Sequence, residues 1–106
     1  MIFYTKYKIF WKYLGITIFP FIFINKSQKG NEVIINHEKT HLRQQIELLW
    51  IIFFIWYGIE FVIRYFQYKN WAEAYRNISF EREAYANEKN FFYNKEKKFL
   101  SFIKYL

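Results

Sequence analysis

Residues 36–45 read NHEKTHLRQQ, and the spacing inside this stretch decides what the rest of the chain must be built around. His37 and His41 are four residues apart. In an α-helix that is about one turn, so both imidazoles lie on one face and can converge on one cation. Glu38 points to the neighbouring sector of the helix, close enough to take a proton from a water at the metal without ligating it. This is the HExxH pattern, in which zinc acidifies water and polarises a carbonyl while the Glu acts as general base. His37 and His41 are the chain's only two histidines. Two histidines placed at random take this spacing, with Glu after the first, on the order of once in a thousand sequences.

A catalytic zinc keeps three protein ligands and one open position. The chain has no further His and no Cys, so the third ligand must be a carboxylate, and disulfides and cysteine nucleophiles are excluded. The candidates are Glu47, Glu60, Glu73, Glu81, Glu83 and Glu88, with no Asp anywhere. Glu47 falls on the wrong side of the motif helix, and Glu60 is expected to form a surface ion pair with Arg64 one turn on. A carboxylate on a separate helix packed against the motif is the better source, which points to FEREAYANE at 80–88. Glu81 and Glu83 differ by about 200° around such a helix, so only one of them can face the metal.

Working outward, the stretch Gly15 to Asn25 (GITIFPFIFIN) is rich in β-branched and aromatic residues and reads as a strand, with Pro20 on an edge or at a bulge. KSQKGN at 26–31 is the turn, and Glu32 to Ile35 the second strand of a hairpin spanning 15–35. Such an edge strand suits an extended substrate backbone. Asn36 is the expected N-cap of the motif helix. No Pro or Gly interrupts 36–57, so 36–66 reads as a motif helix and apolar segment, either one long helix or two stacked ones. A helix over 77–93, capped by Asn77 or Ser79, carries the third ligand. The expected class is therefore α+β, mostly helical, with a short hairpin before the HExxH helix: a minimal zincin-like core in one domain of 106 residues. Gln44 and Gln45 are expected at the helix surface, with one of them hydrogen-bonding near the site as the alternative, and Arg76 or Arg82 beside a carboxylate.

The chain contains 14 Phe, 10 Tyr and 4 Trp, more apolar surface than a domain this small can hide. Leu48 to Ile59 (LLWIIFFIWYGI) carries no charge, but a spanning helix needs about 20 apolar residues. A helix half-sunk in a bilayer, or a very apolar core helix, fits better. Residues 1–12 mix aromatics with Lys6, Lys8 and Lys12 as an interfacial helix would. With Lys95, Lys97, Lys98 and Lys104 at the other end and a net charge of +7, an anionic lipid surface is the natural partner. Nucleic acid is the weaker fit, and an oligomer is compatible with the small size.

HExxH followed by Glu81-Arg82-Glu83-Ala84 resembles the gluzincin class of metallopeptidases, whose third ligand is a Glu in an E-x-E-A or E-x-x-A-(D/N) context on a later helix. Relatives with this look include the membrane prenyl-protein endopeptidases and their bacterial heat-shock counterparts. The chain is also similar to small bacterial membrane proteins carrying NHEKxHxRQQ followed by YRNISFEREAYANE. The resemblance covers about residues 35–88, with some ten specific positions. It implies a Zn2+ held by His37, His41 and Glu81, with Glu83 as the alternative ligand in the second register, and Glu38 as catalytic base. Where these relatives place an orienting Asp or Asn, the first register puts Tyr85. Asn87, Glu88 or Tyr85 is left to orient a histidine, and Tyr85 is a candidate donor to a developing oxyanion. The implied activity is hydrolysis of a peptide or membrane-protein segment at a membrane, the bacterial inner membrane by resemblance. The alternatives are a zinc-binding membrane protein without turnover, and a small basic membrane or nucleic-acid binding protein whose HExxH is accidental.

Overall fold

The computed structural model describes residues 2–5 and 15–106. Among these, strands β1 (Ile2–Thr5), β2 (Gly15–Ile18) and β3 (Phe21–Asn25) form one sheet in the order β1-β3-β2. β2 and β3 pair antiparallel about a turn at Phe19 and Pro20, and β1 runs parallel to β3 with Ile2 opposite Ile22. The helices are α1 (Glu32–Glu47), α2 (Ile51–Tyr68), α3 (Trp71–Arg76), α4 (Ser79–Asn87) and α5 (Tyr93–Glu96), with 3-10 turns at Lys26–Gln28 and Ser101–Tyr105. The class is α+β, with a short hairpin ahead of the helices.

Several boundaries differ from expectation, each for a local reason. The hairpin lies wholly within 15–25, because the chain reverses at Pro20 rather than at 26–31. Glu32 to Ile35 is the first turn of α1, not a strand. Asn31 accepts from the backbone N–H groups of Val33 and Ile34 at 3.1 and 3.3 Å, so the helix starts one turn before the motif. Asn36 is thus inside the helix, and its amide donates to the carbonyls of Asn87, Glu88 and Asn90 at 3.2, 2.8 and 3.0 Å. It satisfies the carbonyls at the end of α4 from another element. Ile2–Thr5 is a strand and not part of an interfacial helix; the remainder of 1–12 lies outside the described residues.

The segment 36–66 is broken. α1 stops at Glu47, and α2 leaves it at 113°. Leu49 and Trp50 at the elbow have φ of +53° and +41°, a region that favours glycine. This is the two-helix alternative, and because no Gly marks the turn, composition alone does not place the break. The fold-back sets α2 over the motif face of α1. Phe53 then meets Ile78, Phe80 and Phe102 in a small core, flanked by Leu48, Tyr57, Phe61 and Leu100. Burying each Phe contributes about 1.5–3 kcal/mol.

α4 begins at Ser79, after Asn77 has closed α3. Its own N-cap position, Ile78, offers no side-chain acceptor, and the cap comes from Glu60 of α2. Glu60 accepts from the Ser79 backbone N–H and, at 2.6 Å, from the Ser79 hydroxyl. Glu60 is buried, so its main task is capping, with Arg64 at 3.7 Å a secondary partner. The helix expected over 77–93 ends at Asn87, and the lysine-rich tail folds back as α5 and the last 3-10 turn against α1 and α4. Lys97 is consequently buried and paired with Glu47 at 2.8 Å rather than displayed to solvent.

Candidate metal centre

α1 presents His37 and His41 one turn apart, their rings at 77° to each other. The two Nε2 atoms stand 3.2 Å apart. α4 packs across them and brings the Glu81 carboxylate between them, Oε1 at 3.1 Å from His37 Nε2 and Oε2 at 3.1 Å from His41 Nε2. All three side chains are buried. Zinc–donor bonds of about 2.0–2.1 Å at tetrahedral angles place neighbouring donors about 3.3 Å apart, so this spacing fits the ion.

The other ring nitrogens say which way the lone pairs point. His37 Nδ1 lies 3.1 Å from Glu88 Oε1, and His41 Nδ1 lies 2.9 Å from Gln44 Oε1. Both partners are acceptors, so each Nδ1 donates, and Nε2 is the ring nitrogen left to offer a lone pair to a cation at the centre. Three electron-pair donors therefore face one another at 3.1–3.2 Å, a contact that a shared cation turns from repulsive to attractive. Without a metal a proton takes that part. Burial works against charge on His41, but Glu81, Glu38 and the bond to Gln44 outweigh it and lift its pKa to about 9. Burial likewise opposes ionisation of Glu81, and the two imidazoles reverse the sign and hold it well below the usual carboxylate range.

By distance alone Glu38 competes with Glu81, since His37, Glu38 and His41 offer donor atoms within 4.8 Å of one another. Hydrogen bonding separates the two. Glu81 bridges both Nε2 atoms, whereas Glu38 Oε1 accepts from the Thr17 hydroxyl of β2 at 2.8 Å. Gly15 of β2 passes so close to Glu38 that a Cβ there would meet its Cγ at 3.1 Å and its Oε2 at 3.3 Å. Burial raises the pKa of Glu38, with His41 and His37 opposing, as suits a group that must take up a proton.

Glu83 faces the other way and does not approach the imidazoles. Its carboxylate is held by Gln44, Tyr93 and Ser101. Tyr85 packs its ring edge against His37, 4.5 Å between centroids, and Arg76 lies 3.6 Å over the Tyr85 ring rather than beside a carboxylate. Arg82 binds Asn77 Oδ1 and the Tyr105 carbonyl. Asn87 donates to the Glu83 carbonyl and the Tyr105 hydroxyl, away from the centre. Gln44 and Gln45, expected outside, are buried. Gln45 pins the hairpin to α1 by accepting from Phe19 N–H at 2.6 Å and donating to the Thr17 carbonyl at 2.7 Å.

A cavity of about 310 Å³ opens beside the centre. β2 supplies Gly15, Ile16 and Thr17, α1 supplies Glu38, His41 and Gln45, and α2 supplies Phe53, Phe54, Tyr57, Gly58 and Phe61. Trp71, Tyr75 and Glu81 complete the lining. The Tyr57 hydroxyl donates to Glu81 Oε2 at 2.8 Å. Nothing in the local sequence context marks Thr17 or Tyr57 for this site; only the fold-back at Leu49 brings Tyr57 here. No protein-family model matches the chain, and no match to it was found among curated proteins or solved structures.

Proposed function

We propose that the protein is a zinc-dependent hydrolase of peptide bonds that works at a lipid surface. The observation carrying this reading is the convergence of two imidazoles and one carboxylate at 3.1–3.2 Å with both Nδ1 atoms already bonded elsewhere. His37, His41 and Glu81 hold the ion, which when bound supplies a Lewis acid and acidifies water. Glu38, kept in place by Thr17 and Gly15, accepts the proton of the attacking water and returns it to the leaving amine. Tyr57 donates its hydroxyl proton to Glu81 Oε2 and so helps to hold the third ligand in place. β2 is an edge strand along the cavity, suited to an extended backbone. The aromatic wall from α2 and α3 suits an apolar side chain next to the scissile bond.

The lipid surface enters through α2. Among the described residues no single helix is long and apolar enough to cross a membrane, while the bent pair α1 and α2 passes that test together. α2 nevertheless exposes Ile51, Ile52, Ile55, Ile59, Val62, Ile63 and Phe66 on its outer side. An apolar face of this extent on a chain of charge +7 suits a helix lying in an anionic interface.

Elemental analysis of purified protein tests the first claim, with one zinc per chain expected and no metal at all fatal to it. The second is tested by hydrolysis of an unstructured apolar peptide before and after Glu38→Gln. The variant is expected to keep its zinc and lose about 10²–10⁴-fold in rate. Equal rates in the two proteins would remove Glu38 from the reaction, and no hydrolysis in either would leave a metal-binding protein without turnover.

A further inference from the structure

The proposed site accounts for His37, Glu38, His41 and Glu81 but leaves a buried polar chain behind it unexplained. Glu83 is fully buried (0% exposed), next to the equally buried Gln44. Its Oε1 accepts from Gln44 Nε2 at 2.7 Å, and its Oε2 from the Tyr93 hydroxyl at 2.6 Å and from the Ser101 hydroxyl. Lys97 Nζ stands 3.9 Å from the same carboxylate and is bonded to Glu47 on α1. A buried ion pair of this kind adds little net stability, because taking the charges out of water costs about as much as their attraction returns. An apolar cluster of the same volume would hold α1, α4 and the C-terminal segment together as well.

What an apolar cluster could not do is orient Gln44. The amide of Gln44 has two ends with opposite character. Phe80 O at 3.1 Å and Glu83 Oε1 at 2.7 Å both require a donor, so the nitrogen must face them and the oxygen is left to face His41 Nδ1 at 2.9 Å. Reversed, the amide would offer N–H to Nδ1, drive the ring proton to Nε2 and aim it at Glu81 and His37, where the cation belongs. His37 needs no such relay, since Glu88 accepts from its Nδ1 directly.

We propose that Gln44 and Glu83 are positioning residues for metal binding. Glu83, anchored by Tyr93, Ser101 and Lys97, fixes the Gln44 amide so that its oxygen holds the proton of His41 on Nδ1 and leaves the Nε2 lone pair free. The segment 93–101 is thereby part of the metal centre without touching the metal. This rests on the zinc-site reading above, and the experiment separates the two.

Zinc affinity of the full chain is measured by competition with a chromophoric chelator for the parent, Gln44→Leu and Glu83→Gln. In the zinc-loaded parent the His41 Nδ1 proton is followed by NMR as a slowly exchanging downfield signal. Gln44→Leu is expected to weaken zinc binding about 10- to 100-fold and to abolish that signal. Glu83→Gln, which releases the amide to turn either way while keeping a polar side chain in the pocket, is expected to weaken it severalfold and broaden the signal. A purely structural role would lower the melting temperature and leave both readouts at parental values, and that result overturns the proposal. Should Gln44→Leu fail to fold, Glu83→Gln decides by the same two readouts. A parent that binds no zinc sinks the site itself and the relay with it; a parent that binds zinc with variants that match it sinks only the relay.

Discussion

α1 and α2 are consecutive helices of similar length that invert the usual rule of interior and surface. The buried positions of α1 are Asn36, His37, Glu38, Thr40, His41, Gln44 and Gln45, all polar. α2 buries only Phe53 and Glu60 and leaves Phe66 73% exposed and Ile55 59% exposed. The lesson is that the two helices spend their residues on different tasks. α1 builds a polar interior whose donors and acceptors are almost completely matched: among the described residues the only buried side-chain atoms without a hydrogen bond are Arg64 Nε and Asn94 Oδ1. Such matching is costly to assemble and intolerant of loss, because each orphaned polar atom forfeits about 1–3 kcal/mol. α2 has two different sides, one walling the cavity with Phe54, Tyr57 and Gly58 and the other leaving apolar side chains exposed.

The sharpest break in this contrast would come from titrating the polar interior without metal. His41 has its pKa raised from 6.5 to about 9, so the stabilisation from its proton is complete below pH 6.5 and lost as pH climbs through about 9. The metal-free protein should lose a few kcal/mol of stability over that window. The zinc-loaded protein, whose imidazoles are already deprotonated, should not. Melting curves at pH 6, 7.5 and 9 with and without zinc check this; parallel curves would mean that the proton and the metal do not share one place.

The apolar side is probed by Ile55→Asp with Phe66→Asp, both at strongly exposed positions of α2. Flotation with anionic vesicles should fall by roughly tenfold or more, from the apolar area no longer buried. Zinc content and melting temperature should stay at parental values. Unfolding of the double variant would show instead that this side of α2 is an interior covered by another protein surface.

Smaller effects refine the boundary where the two regions meet. Gly15→Ala places a methyl group 3.1 Å from Glu38 Cγ and must move that side chain by a few tenths of an ångström. Turnover should drop severalfold with zinc affinity unchanged; equal losses in both would locate the damage in the ligands instead. Smallest of all is Gly58→Ala. The added Cβ meets nothing within 4 Å, and the position is interior to α2. A gain in stability of up to about 1 kcal/mol is expected from helix propensity alone, read as a higher melting temperature. A loss would show that the cavity wall at 58 is closed to even a methyl group.

How much of this was legible beforehand varies along the chain. The α+β class, the early hairpin and a helix through HEKTH follow from composition and spacing. The strand expected at Glu32 to Ile35 was misread because β-branched residues there outweighed the Asn31 cap, whose amide oxygen already meets two helical N–H groups. Glu60 looked like a surface ion pair because Arg64 is its neighbour in sequence, yet the stronger demand came from Ser79, nineteen residues away, whose helix has no cap of its own. Gln44 and Gln45 looked exposed because glutamine usually is.

Read alone, the residues establish that two imidazoles share a helix face with a Glu beside them, since that depends only on the rise and pitch of one element. They leave open Glu81 against Glu83, the elbow at Leu49 and Trp50, and the burial of both glutamines. Those are questions of which surfaces meet, and the answer comes from long-range packing: α4 laid across α1 turns one carboxylate toward the imidazoles and its neighbour toward Tyr93 and Ser101. A pairing between distant segments carries no signature in either of them.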